Sequence, residues 1–253
     1  MPAATLARLV LLEARRGGLP WLAAASIALG AGLAAFLSQV AVTESVALQT
    51  AIVAAVLRAC AIFLVTSHVA ASILRELNDK GLEVMLALPL SRSTHYLGRL
   101  AGFAACGAAA ALAFALPLLF WASPSAVAAW GFSLACEAAV LASIALFFAV
   151  TLAQLVPAIA ASAGLYVLAR SISSIQLIAA SPLSDTSSAH DIARWCVDAV
   201  ALLLPRLDSV TRTDWLLYGA PGAAEYLLAI GGLALYGALV VAAGLFDFYR
   251  RSL

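Results

Sequence analysis

The chain has 253 residues, of which 64% are hydrophobic and only 11% charged, with a mean hydropathy of +1.04. Several of its apolar runs reach about 20 residues, the length that crosses a hydrocarbon core ~30 Å thick, so the composition excludes an ordinary soluble domain and indicates a polytopic membrane protein. A formal net charge of +1 with no basic stripe excludes a nucleic-acid-binding face and favours no acidic partner.

Residues 1–18 bring Leu6, Leu9, Val10 and Leu12 near one another on a helix, while Arg8, Glu13, Arg15 and Arg16 fall largely elsewhere. That pattern suits an interfacial helix on a leaflet; a frayed, positively charged tail that only sets topology is the alternative. The apolar run that follows is far longer than a signal-peptide core and is expected to stay as an anchor. Six spans are expected, over 19–42, 50–74, 97–122, 126–152, 157–180 and 225–248. They should be helices, because unclosed strands would leave backbone amides unpaired in lipid. Spans three and four are separated by Ser123-Pro124-Ser125, and four and five by Gln154, Leu155 and Val156 before Pro157, so both pairs read as tight hairpins.

An even count puts both termini on one side. Arg8, Arg15, Arg16, Arg75, Lys80, Arg92, Arg99, Arg250 and Arg251 flank that side. Together they are nine of the 14 basic residues, so the termini and the 75–99 segment are expected in the cytosol. The chain thus reads as one transmembrane domain over 1–253: 1–18 interfacial, 19–74 spans one and two, 75–96 a cytosolic segment, 97–180 spans three to five, 181–224 an external cap, and 225–253 the last span and tail. In the cap, a turn-rich stretch from Ser181 to Ser188 precedes Ile192, Trp195, Cys196, Val197, Ala199 and Val200, the pattern of a short amphipathic helix; Pro205 ends the run before Trp215, Leu216 and Tyr218 resume an interface-like composition.

The 75–99 segment holds the densest cluster of charge between Trp21 and Ala180: Arg75, Glu76, Asp79, Lys80, Glu83, Arg92 and Arg99 around Leu82, Val84, Met85, Leu86 and Leu88. Gly81 should end the helix that continues from span two. A short helix should follow, with Leu82, Met85 and Leu86 on one face and Pro89 stopping it, and Ser91 or Ser93 can cap the next helix. The run Arg75-Glu76, Gly81-Leu82-Glu83, Leu86, Leu88-Pro89, Ser91-Arg92 resembles the coupling helix of ABC-2 type transporter permeases, and Leu204-Pro205-Arg206-Leu207-Asp208 resembles a Leu-Pro-x-Leu-Asp element in their external region. The order of parts is similar over nearly the whole chain. One departure stands: Lys80-Gly81 occupies the place where those permeases often have Gly-Thr.

The resemblance implies an all-α polytopic membrane fold of six transmembrane helices, with an N-terminal interfacial helix, a cytosolic coupling helix and an external re-entrant or amphipathic region before the last helix. It implies a permease subunit of an ATP-binding cassette exporter in the bacterial cytoplasmic membrane. The partners would be two copies of a separate ATPase subunit and a second permease, either an identical copy or a related one. Glu76, Gly81, Leu82, Glu83, Met85, Leu86, Pro89 and Arg92 would serve ATPase coupling, and Pro205 and Asp208 would belong to the external region. The only lysine, Lys80, is followed by Gly81 rather than Ser or Thr, so the chain has no phosphate-binding Walker loop; no catalytic residue, cofactor or metal is expected on it, with ATP and Mg on the partner. A permease of the haem-export or cytochrome c maturation type, a membrane accessory or scaffold subunit, and an intramembrane enzyme are the alternatives; for the last, no paired aspartates, His-Glu-x-x-His or Gly-x-Ser-x-Gly is present.

Within the spans, Arg58, Glu137 and Arg170 each carry an insertion cost of ~2.5–3.5 kcal/mol and must be compensated. An Arg58–Glu137 pair between helices is geometrically allowed; packing locks and a substrate pathway are the two readings of the three charges. His68 reads as a packing or hydrogen-bonding residue, Cys60, Cys106 and Cys136 as small core hydrophobes, and no disulfide is expected for Cys196. Gly30, Gly32, Gly102, Gly107, Gly231 and Gly232 should permit close helix packing.

Overall fold

The computed structural model describes residues 2–40, 45–79, 91–179 and 188–250, and every regular element among them is helical. A short helix, α1 (Pro2–Arg16), leads into α2 (Leu19–Val40), α3 (Ser45–Asn78), α4 (Arg92–Ala115, continued by a 3-10 turn at Leu116–Phe120), α5 (Pro124–Leu152) and α6 (Leu155–Ala179). Then come α7 (Ser188–Leu203), a 3-10 turn at Leu207–Ser209, the single-turn α8 (Asp214–Tyr218) and α9 (Ala223–Arg250). Helices α2 to α6 and α9 are long and apolar enough to cross a membrane, and they fall where the six apolar runs of the sequence lie. The protein is therefore a multi-pass helical membrane protein.

The main departure in boundaries is α3. Its span is expected over 50–74, with the helix continuing toward Gly81; the helix starts earlier, at Ser45, and runs through Asn78, and its 34 residues make a rod of about 51 Å at 1.5 Å per residue. That exceeds a ~30 Å hydrocarbon core, so α3 projects beyond it. The hairpin joints use local devices. Ala153, after α5, takes a left-handed conformation (φ 52°) and donates its N–H to the Ala149 carbonyl. Helix α6 then starts at Leu155, with Pro157 in its first turn, where a missing N–H costs nothing.

Helix α5 is the axis of the bundle: 67% of its apolar window is buried, against 17% for α2 and for α9. Trp130, Leu134 and Leu141 are wholly enclosed. Close approach depends on small residues, as expected where helices cannot be driven together by hydrophobicity alone. A Cβ on Gly107 would stand 3.0 Å from that of Ala138, which sets α4 against α5, and one on Gly30 would stand 2.9 Å from Leu57 Cδ2, which sets α2 against α3. Gly32, Gly231 and Gly232 instead face open space, so the packing role expected of all six glycines belongs to Gly30, Gly102 and Gly107.

Helix α1 docks on α4 through Gly98 and Gly102, one turn apart: a Cβ at Gly102 would fall 2.7 Å from Val10 Cβ and 3.0 Å from the Ala7 backbone. Leu6, Val10 and Ala14, at four-residue spacing, form the buried stripe, while Leu9, Leu11 and Leu12 stay exposed. At the same end, Phe248 of α9 stacks on His95 of α4 (centroids 6.2 Å apart), so both ends of the described chain meet at one end of the bundle, here termed the terminal end. The opposite end carries the 121–123 and 204–222 connections. There α7 is tied to α6 by Gln176 Nε2 donating to Asp198 Oδ1 at 2.8 Å, and turns Ile192, Trp195 and Leu202 outward. A contiguous exposed apolar face of this kind marks a contact with lipid or with another protein surface.

Candidate functional site

Two clusters of charge sit at opposite ends of the bundle. At the terminal end, Ser72 and Glu76 lie one turn apart on α3 and His95 and Arg99 one turn apart on α4, so each pair shares a face. Helix α1 adds Glu13. Arg99 is 7% exposed, and its guanidinium forms a close ion pair with Glu76. It also lies 3.6 Å from Glu13 Oε2 and donates to Ser72 Oγ at 3.4 Å. Ser72 in turn donates to Glu13 Oε2 at 2.8 Å, and His95 Nε2 is 3.2 Å from Glu76 Oε1. Arg75, largely exposed, reaches Glu13 Oε1 at 3.7 Å. The Phe103 ring underlies Arg99 at 5.6 Å. Two carboxylates thus face two guanidiniums and an imidazole across three helices, which is what a buried ion pair requires if its desolvation is to be offset.

This cluster borders the 80–90 segment at both ends. Ser91 caps α4, its Oγ accepting from Thr94 N–H, as one of the two serines was expected to do. Arg92 Nη1 donates to the Tyr249 carbonyl at 3.3 Å, tying α4 to α9. Of the residues assigned to coupling, Glu76 and Arg92 are therefore placed; Gly81, Leu82, Glu83, Met85, Leu86 and Pro89 lie outside the described residues.

At the opposite end, Arg58 of α3, Glu137 of α5 and Arg170 of α6 converge beneath the irregular segment 205–213. Glu137 is wholly enclosed and Arg170 Nη1 lies 4.0 Å from its Oε1. This Arg170–Glu137 pair, rather than the allowed Arg58–Glu137 one, is the ion pair formed. Arg170 also donates to the carbonyls of Leu207, Val210 (2.8 Å) and Thr211 (3.1 Å), and Arg58 Nη1 to the Thr211 carbonyl at 2.8 Å. Thr211 is fully buried, has φ 52°, and accepts on Oγ1 from Ser133 Oγ at 3.1 Å. Pro205 is buried, and Asp208, in the 3-10 turn, is partly exposed. Backbone that lacks its own helical bonds persists inside a bundle only when other groups satisfy it, and here two arginines do so.

His68 packs edge-on against Phe103 at 5.9 Å, the four cysteines are free, and no cluster of three metal-ligating side chains occurs among the described residues. Sequence reasoning missed Glu13, Ser72, His95, Ser133 and Thr211 as members of the clusters. Gly98-x-x-x-Gly102 was the available signal for α1, since small residues four apart mark a helix seat. No protein-family model matches the chain, and no curated protein matches its sequence. The architecture alone defines the class: a six-span helical membrane protein with a charged, three-helix junction at its terminal end.

Proposed function

We propose that the protein is the membrane-spanning permease subunit of an ATP-binding cassette exporter, with the 80–90 segment as the part that engages a separate ATPase. The observation that carries this reading is the Arg99–Glu76–Glu13–His95 junction. It ties together the two helices that enter and leave the segment, and it anchors both to α1. A push delivered between α3 and α4 is then transmitted to the bundle as a rigid displacement rather than absorbed in a loose loop. The sequence likeness of residues 75–92 and 204–208 to ABC-2 permeases supports the same assignment, as does the bias of basic residues, which favours a cytosolic terminal end.

In this reading Leu82, Met85 and Leu86 seat in a groove of the ATPase, and Glu76 and Arg92 hold the register of the helix ends. Helices α2 and α6, whose apolar faces expose Leu22, Leu29, Phe36, Val167 and Ile175, meet a second permease. ATP-driven closure of two ATPase subunits would move the coupling segments and rock α2, α3 and α6, opening a path at the interface between permeases. The test is co-purification with an ATP-binding cassette ATPase, for which a gene beside this one is expected: Leu86→Asp should leave membrane insertion intact and abolish association. Undiminished association would remove the assignment.

A further inference from the structure

A cleft of about 550 Å³ runs along α9 beneath residues 204–209 and opens sideways, toward the surroundings of the bundle. Its wall is the stripe Leu228, Gly232, Leu235 and Leu239, which spans about 16 Å of helix, close to the length of an extended acyl chain. The three leucines are 78%, 66% and 63% exposed within the bundle, and the floor at Gly232 is empty, with nothing within 4 Å of where a Cβ would sit. The mouth is polar. Glu225 there is already held by Arg212 at 3.3 Å, and Ser209 Oγ donates to the Arg206 carbonyl. Arg206 has an exposed side chain and forms no ion pair among the described residues. Arg206 also borders a second cleft that Asp198 and Asp208 line, and neither carboxylate is within ion-pair distance of it.

An apolar channel of acyl length, inside a membrane span, ending at one uncommitted cation, has the chemistry of a site for an anionic lipid. We infer that this cleft binds a membrane lipid with an acidic headgroup, its chain along the α9 stripe and its phosphate on Arg206. The site is independent of the ATPase and of the permease reading. One guanidinium on an anionic headgroup at a membrane surface should give about a fivefold preference over a zwitterionic lipid of equal chain length.

The test uses the full chain in detergent and a phosphatidylglycerol carrying a diazirine in its chain, with labelling of the 223–239 peptide read by mass spectrometry. Unlabelled phosphatidylglycerol should compete about fivefold better than phosphatidylcholine, and inorganic phosphate should not compete. Arg206→Gln should equalise the two lipids. Gly232→Leu, whose Cβ meets no protein atom and whose side chain fills the floor, should abolish labelling, whereas Gly231→Leu, on the neighbouring face, should retain it. Equal competition by both lipids, an unchanged ratio in Arg206→Gln, or unchanged labelling in Gly232→Leu would each overturn the inference. So would cross-linking of copies through a cysteine placed at Leu235, because a second chain would then cover the stripe.

Discussion

The two charged clusters solve one problem by different chemistry. At the terminal end, side chains answer side chains: Arg99 meets Glu76, Glu13 and Ser72, and His95 shares Glu76. At the opposite end, side chains answer backbone: Arg170 has one carboxylate and three carbonyls, and Arg58 has one carbonyl. The first arrangement holds helices together and leaves several partners for each charge. The second holds an irregular segment inside a bundle, where only the Thr211 carbonyl has a second guanidinium, that of Arg58, to fall back on. Redundancy, not burial alone, should therefore separate the consequences of disturbing them.

The largest effect is expected for Arg170→Leu, which strands the wholly buried Glu137 and takes the guanidinium from three carbonyls, leaving Thr211 with Arg58 alone and Leu207 with the Val210 N–H alone. A loss of about 3–5 kcal/mol in stability, read by unfolding in detergent with increasing dodecyl sulfate, is the expected outcome. Arg99→Leu should cost less, because Glu76 keeps His95 and Glu13 is partly exposed. Adding Glu76→Gln to Arg99→Leu should recover part of that loss, and a strictly additive double mutant would show that the two residues do not interact.

Arginine-to-lysine exchange sharpens the contrast. An ammonium can still meet carboxylates at position 99, but it cannot fork across three carbonyls at 170, so Arg170→Lys should be worse than Arg99→Lys by about 2 kcal/mol in the same assay. Equal losses would mean that the carbonyl contacts contribute nothing.

Gly102→Val tests whether the terminal-end junction depends on α1. The added side chain collides with Val10 and the Ala7 backbone, and overpacking of this kind costs about 1–3 kcal/mol. Detachment of α1 should appear as faster tryptic cleavage after Arg15 or Arg16 with the spans intact. The smallest effect calibrates the strain at Thr211. Ala153 has the same φ of 52° at an exposed helix end without the hydroxyl contacts, so Ala153→Gly should raise stability by about 1 kcal/mol. Thr211→Gly should instead gain less or lose outright, because it also deletes the bond from Ser133.

Composition and hydrophobic run length by themselves determined the helical class, the six crossings and their approximate limits, since lipid leaves a spanning backbone no alternative to internal hydrogen bonding. They also marked Arg58, Glu137 and Arg170 as charges that need partners, because the cost of an intramembrane charge is a local property of the residue. Which partners they found was decided only by the tertiary structure: Arg58 turned to a carbonyl 153 residues away, and Arg170 rather than Arg58 took Glu137. Pairing depends on helix rotation and depth, and a chain of nearly uniform Ala, Leu and Val encodes those weakly. The same holds for α1, whose seat on Gly98 and Gly102 draws Glu13 into the junction. A short amphipathic stretch carries the instruction to bury one face, but only the surface offered by α4 specifies where.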